Sequence, residues 1–298
     1  MPELPEVHTI VTDLKKFLPG LKITDVWTDV KKFKKIKKEV VGQKILSVER
    51  RGKNILIHLS PKSDFKKNPQ SPTLGDTILV HQKMTGHLMF GKWKLKNKTW
   101  KSVLPGAMRD DPENRFIHLL FFLSNGRQLA LCDMRKFAKV VVIPTKQIQE
   151  EFIKMGPEPF DKNFNFKKFY QIIKNKKGKI KTVLMDQSVI AGIGNIYSDE
   201  ILWLAGVHPT SKTSDLKEKE IKKIYESIKP VLKKAIKARG SSYIDYRDAQ
   251  GKKGSYQNMQ NAYGLKGKKC KKRGCNGIIE KMVVGGRSAH FCPKHQIK

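Results

Sequence analysis

The chain has 298 residues, 39% of them hydrophobic, which is enough for two or three domains with cores and excludes a disordered chain. Its 61 Lys and Arg face only 27 Asp and Glu, a formal charge of +34, and so basic a chain points to a polyanionic partner, nucleic acid before membrane. No uncharged apolar run approaches the roughly 18–20 residues of a membrane span, and the acids at positions 3 and 6 do not suit a basic-then-apolar signal segment, so the expected location is cytoplasmic, beside the nucleoid.

The chain opens Met1-Pro2-Glu3-Leu4-Pro5-Glu6-Val7. Methionine before a small residue is normally trimmed, which leaves Pro2 as a terminal secondary amine. Such an amine condenses with an aldehyde to an iminium that has no N–H proton to lose. The lasting cation is an electron sink for breaking neighbouring bonds. Glu3 stands beside it as a proton carrier. Residues 3–18 follow as a predicted helix, with Val7, Ile10, Val11, Leu14 and Leu18 spaced by three and four. Short apolar runs then recur at 22–28, 45–48, 54–59, 77–81, 87–93, 116–123, 128–132 and 137–143, the pattern of a β-sandwich or barrel. Two long loops are expected, Ser60–Asp76 and Lys98–Glu113. Within this region Lys53 opens a strand. Met84 and the run Arg135-Lys136-Phe137 lie in expected turns, where exposed Met, Arg and Phe suit wedging into a base stack.

Met155-Gly156-Pro157-Glu158-Pro159 punctuates the chain, and a hinge is placed at 144–160. Helices are predicted at 166–174, 179–186, 196–205 and 216–238. Gly192 and Gly194 suit a tight turn, after which Asn195 starts a helix; its side chain suits capping that helix, holding a phosphate, or both. The lysine runs 31–38, 174–181 and 266–273 read as solvated faces that together attract phosphate.

The tail reads Cys270-x4-Cys275-x16-Cys292-x2-His295. Two close pairs across a hairpin-length spacer suit one tetrahedral zinc ion. His295 has the ligand spacing, and His290 lies nearby. Strands at 278–284 and 288–291 would turn at Gly285-Gly286, with Arg287 at the tip. Cys132, in the apolar run 128–132, belongs to the core.

These landmarks together resemble the formamidopyrimidine-DNA glycosylase family of helix–two-turn–helix repair enzymes, which also includes endonuclease VIII. The likeness spans essentially the whole chain: the MPELPEV start, RRGK at 50–53, HQKMTG at 81–86, DMRKF at 133–137, GPEP, AGIGNIYSDE at 191–200 and the tail module. It implies an α+β multidomain fold: an N-terminal helix plus β-sandwich over 1–143, a hinge at 144–160, a helix–two-turn–helix domain over 161–255 and a zinc-finger β-hairpin over 256–298. It implies a monomeric bifunctional glycosylase and AP lyase acting on duplex DNA with oxidised purines or abasic sites, DNA lying in a basic cleft. Pro2 would be the nucleophile at the sugar C1′, Glu3 the acid/base, and Glu6 a support. Lys53 would assist base release and hold phosphate. Met84, Arg135 and Phe137 would fill the space of the flipped nucleotide, with Lys136 beside them where an Arg is typical. Asn195 and Arg287 would grip phosphates. The MPELPEV start and the segment Gly240 to Tyr256 favour the formamidopyrimidine branch over an endonuclease VIII-like enzyme for oxidised pyrimidines. The chain departs from the family in His295, where a fourth Cys is usual, in Gln82-Lys83, and in the length of loop 60–76. The rivals are a non-catalytic basic zinc-finger protein, which leaves Pro2-Glu3 unexplained, and a lesion sensor that does not cut, against which Pro2, Glu3 and Lys53 together argue.

Overall fold

The computed structural model describes residues 1–62, 75–243 and 245–297; most of the expected loop 60–76 lies outside the described residues. Helix α1 (Leu4–Phe17) forms where the spacing predicted, and its apolar stripe of Val7, Ile10, Val11 and Leu14 is buried. Then come β1 (Ile23–Thr28), a short α2 (Ile36–Val40), β2 (Ile45–Arg51), β3 (Asn54–Leu59), β4 (Asp76–His81), β5 (His87–Gly91), β6 (Trp93–Lys96), β7 (Thr99–Ser102), β8 (Ile117–Leu123), β9 (Gln128–Cys132) and β10 (Lys139–Pro144).

Two antiparallel four-stranded sheets result, in the orders β1-β8-β9-β5 and β10-β4-β3-β2. Alternate residues of both sheets share one core. Ile55, Ile57 and Leu59 of β3 and Ile78 and Val80 of β4 join Leu119, Phe121 and Leu123 of β8, Leu129 and Leu131 of β9, and the stripe of α1. Each fully buried Ile or Leu there contributes about 1.5–3 kcal/mol. β8 and β9 read as unbroken apolar runs because their other face is covered too. Leu120, Ala130 and Cys132 pack with Met89, Trp93, Trp100 and Met108.

The β6–β7 hairpin that provides those tryptophans was not expected. Residues 87–93 read as one strand and 98–113 as a loop. The strand breaks at Gly91, where a Cβ would lie 2.6 Å from the Trp93 ring, so the indole folds back across the chain. Lys53 is likewise not at a plain strand start. Gly52-Lys53 is the two-residue tip of the β2–β3 hairpin, flanked by the pair Arg51–Asn54.

Helices α3 (Phe166–Lys174), α4 (Ile180–Met185), α5 (Asn195–Ala205) and α6 (Glu218–Lys237) follow, and β11 (Glu280–Val284) pairs with β12 (Arg287–Phe291). α5 begins at Asn195, one residue before its predicted start. Its N-cap is Gly194, so Asn195 is not a capping residue. The expected α+β architecture, with a helical domain and a terminal hairpin, is the one observed. The chain separates into two compact units, Met1–Ile153 with Arg239–Ser255, and Lys154–Ala238 with Tyr256–Lys298. Segment 239–255 was expected with the helices but packs in the first unit: Phe90 N–H donates to Ala249 C=O at 2.8 Å, and buried Arg247 pairs with Asp111 at 2.7 Å. Among the described residues no helix is long and apolar enough to cross a membrane.

Candidate active site and metal centre

At the head of α1, Pro2 is buried one residue ahead of the N-cap Glu3. Glu3 and Glu6 are each only 1% exposed, and Lys53 is 6% exposed. Glu6 organises this point. One carboxylate oxygen accepts from the Glu3 backbone N–H at 2.8 Å, and the other accepts from the Ser241 N–H at 2.7 Å. The Tyr246 hydroxyl donates to the Glu6 carbonyl at 3.2 Å. Ser241 and Tyr246 are thereby fastened to the first turn of α1. Burial pushes the Lys53 ammonium below its ordinary pKa, and the carboxylates of Glu3 and Glu6 lie close enough to oppose that shift. A buried proline next to the N-terminus, two carboxylates and a lysine of lowered pKa thus converge on one helix start. Such a group can attack a carbon, carry protons and stabilise a leaving anion.

The second cluster stands at one end of β5 and β9, whose residues His87 and Cys132 are paired. Loop 82–86 enters β5 and loop 133–138 leaves β9. Asp133 joins them: its carboxylate accepts from the Thr85 hydroxyl at 2.5 Å and from the Ala138 N–H at 2.7 Å. Met84 is left 39% exposed and Phe137 52% exposed. The Arg135 guanidinium stacks 4.5 Å from the Phe137 ring centroid. Lys136 lies 3.6 Å from Asp29. Met84, Arg135 and Phe137 are therefore brought together as outward-facing side chains on a braced base. Asp133 was missed in the sequence, though an Asp opening a turn is a known bracing residue.

In the other unit, the Asn195 amide lies 3.5 Å from the Ser288 hydroxyl, next to Arg287. The hairpin turns at Gly285-Gly286 as expected, both with positive φ, and Arg287 is exposed beside the turn. A Cβ on Gly285 would meet Thr182 at 2.4 Å, so the tip sits hard against α4. Two adjacent acids of α5 anchor this module, and neither was singled out from sequence. Asp199 pairs with buried Lys181 and accepts from the His290 N–H at 2.8 Å. Glu200 accepts from the N–H groups of Asn261, Ala262 and Tyr263 at 2.9–3.1 Å. Burial pushes the pKa of Glu200 up, against the pull of those donors.

Ligand atoms of Cys270, Cys275, Cys292 and His295 lie within 4.8 Å of one another. The Cys275 and Cys292 sulfurs are 3.7 Å apart, close to the roughly 3.8 Å edge of a tetrahedron with ~2.3 Å metal–sulfur bonds. His295 Nδ1 lies 3.3 Å from the Cys270 sulfur, while Nε2 lies 3.0 Å from the Trp203 carbonyl. A carbonyl only accepts, so Nε2 carries the proton and Nδ1 keeps its lone pair. Three thiols and one imidazole nitrogen in this arrangement fit a closed four-ligand site for a soft or borderline cation. His290 is not part of the cluster.

Two family models match the chain: the formamidopyrimidine-DNA glycosylase N-terminal domain over residues 1–140 and the formamidopyrimidine-DNA glycosylase H2TH domain over 155–246. The formamidopyrimidine-DNA glycosylase of Pelotomaculum thermopropionicum is 35% identical over 304 residues, with 99% of each chain covered. Among solved structures, Lactococcus lactis Fpg in complex with abasic-site DNA is similar at a TM-score of 0.83 and 33% identity, covering 99% of this chain and 100% of that one. MutM in complex with DNA containing carbocyclic 8-oxo-G is similar at a TM-score of 0.82 and 33% identity, covering 100% of both chains.

Proposed function

The chain belongs to the formamidopyrimidine-DNA glycosylase family, and from that premise we propose that it excises oxidised purines from duplex DNA and then cuts the strand as an AP lyase. The observation that carries this reading is the burial of Pro2 with Glu3, Glu6 and Lys53 at the start of α1. Removal of Met1 frees the proline nitrogen. That nitrogen attacks C1′ of the damaged nucleotide, and the base leaves with a proton. Lys53 assists this departure. Glu3 carries a proton to the ring oxygen, the sugar opens, and an iminium joins Pro2 to C1′. Loss of a C2′ proton expels the 3′ phosphate, and a second elimination expels the 5′ phosphate. Glu6 holds the helix start in place throughout.

Met84, Arg135 and Phe137 are assigned to the space left by the flipped nucleotide, and Asn195 and Arg287 to its phosphates. The substrate class follows the similarity to chains bound to abasic-site and 8-oxo-G DNA. Cys270, Cys275, Cys292 and His295 are assigned one zinc ion, which would hold the hairpin module together. Four protein ligands leave it no open position for substrate.

Borohydride trapping on abasic DNA tests the proposal. The native chain should become covalently bound to the oligonucleotide, and a chain with an uncleaved N-terminal tag should not. Equal trapping of the tagged chain would move the nucleophile to a lysine and overturn the assignment of Pro2.

A further inference from the structure

An exposed aromatic ring fills a gap in a base stack only if its backbone is held still; otherwise the ring is ordered at the moment of binding, at an entropic cost. Phe137 is 52% exposed, yet the peptide groups around it are fixed from both sides. On one side the Ala138 N–H donates to Asp133. On the other, the Lys32 ammonium donates to the carbonyls of Lys136 and Ala138, at 2.7 and 2.8 Å. These two carbonyls flank Phe137. The same ammonium lies 4.9 Å from the centroid of the Phe33 ring, so a π face adds to its carbonyl partners. Lys136 has φ of +55°, a conformation that non-glycine residues rarely adopt and that needs outside support.

Lys32 is therefore tied to backbone carbonyls, although the run 31–38 to which it belongs reads in the sequence as a solvated face. We propose that Lys32 is a positioning residue that pre-sets the wedge of Arg135 and Phe137, rather than one more phosphate-attracting charge. The proposal rests on the reading of Arg135 and Phe137 as the side chains that occupy the vacated space.

The two roles separate in binding. A phosphate charge acts on any duplex through counterion release. A wedge acts only where a nucleotide has left the stack. The test measures the affinity of the full chain for an undamaged duplex and for the same duplex with a stable abasic analogue, by fluorescence anisotropy. Lys32→Met should lower the ratio of the two affinities by roughly three- to tenfold, as expected for part-exposed charge-assisted hydrogen bonds. Lys32→Arg keeps the donors and should restore the ratio. Lys31→Met, an exposed charge in the same turn, should weaken both affinities equally. If Lys32→Met behaves like Lys31→Met, or Lys32→Arg fails to restore the ratio, the positioning role is wrong. Phe137→Ala locates the fault. If it lowers the ratio while Lys32→Met does not, only the assignment of Lys32 falls. If Phe137→Ala also leaves the ratio intact, the wedge reading falls and takes the proposal with it.

Discussion

His290 and His295 are five residues apart, but their ring nitrogens face different partners. His295 turns Nδ1 toward the Cys270 sulfur and fixes its tautomer on the Trp203 carbonyl. His290 Nδ1 lies 3.3 Å from the Asp199 carboxylate, which also accepts its backbone N–H. The first arrangement suits a ligand and the second a structural tie. The expected outcome is one zinc ion per chain. His295→Ala should weaken its hold by more than the roughly 10–100-fold that loss of an outer hydrogen-bond partner costs. His290→Ala should leave the stoichiometry intact. Chelator competition with metal analysis reads both, and the reverse pattern would reassign the ligand to His290. Sequence spacing favoured His295, but only the ring orientations separate the two. Lys53 makes a similar point. Its place between two strand runs says nothing of burial; the two-residue hairpin turns it inward beside Glu3 and Glu6, where its ammonium is less stable than in water.

Among the elements, α1 depends on a segment more than 220 residues away in sequence. Ser241 donates to Glu6, and Gly240 lies so close that a Cβ would sit 2.8 Å from the Glu6 Cγ and Oε1. Gly240 also has φ of +82°, so both strain and contact oppose a side chain there. Gly240→Ala should displace Glu6, slow cleavage of abasic DNA by roughly tenfold and cost about 1–3 kcal/mol of stability. Zinc content should not change. Single-turnover cleavage and urea titration measure these effects, and a fully active Gly240→Ala would mean that Glu6 is free to move without penalty. The helix itself was legible, because its 3.6-residue stripe meets the core directly. So were β3, β8 and β9, whose apolar runs match their burial. The β6–β7 hairpin was not, since its strands expose Lys94, Lys96 and Lys101 and leave only Trp93 and Trp100 to mark the covered face. Asp199 and Glu200 are illegible in the sequence for another reason. Adjacent acids on a helix usually face water, and only the fold brings N–H donors from 261–263 and 290 to meet them.

Over the whole molecule, a charge of +34 makes attraction to DNA almost inevitable, and so explains little about where the chain stops. The electrostatic term is shared among many lysines, is blind to sequence and lesion, and is screened within about 10 Å at 0.1 M salt. Recognition of a damaged site must come from charges held in one geometry. Arg287 stands on backbone that is held in that way. It follows a two-glycine turn whose tip presses on Thr182, and the adjoining Ser288 lies beside Asn195. A planar guanidinium carried on that backbone can fork onto one phosphate. Lys281 is exposed on the same hairpin, paired across the strands with His290, and has no such setting. If both act only through the shared field, each substitution should reduce affinity slightly and remove about one counterion from the salt dependence. If Arg287 makes a directed charge-assisted contact worth ~1.5–3 kcal/mol, Arg287→Ala should weaken lesion-DNA binding by at least about tenfold. That loss should persist at high salt, where Lys281→Ala becomes indistinguishable from the native chain. Binding measured across a salt series on lesion and undamaged duplexes decides between the two. Coincident lines for the two variants would return Arg287 to the electrostatic background.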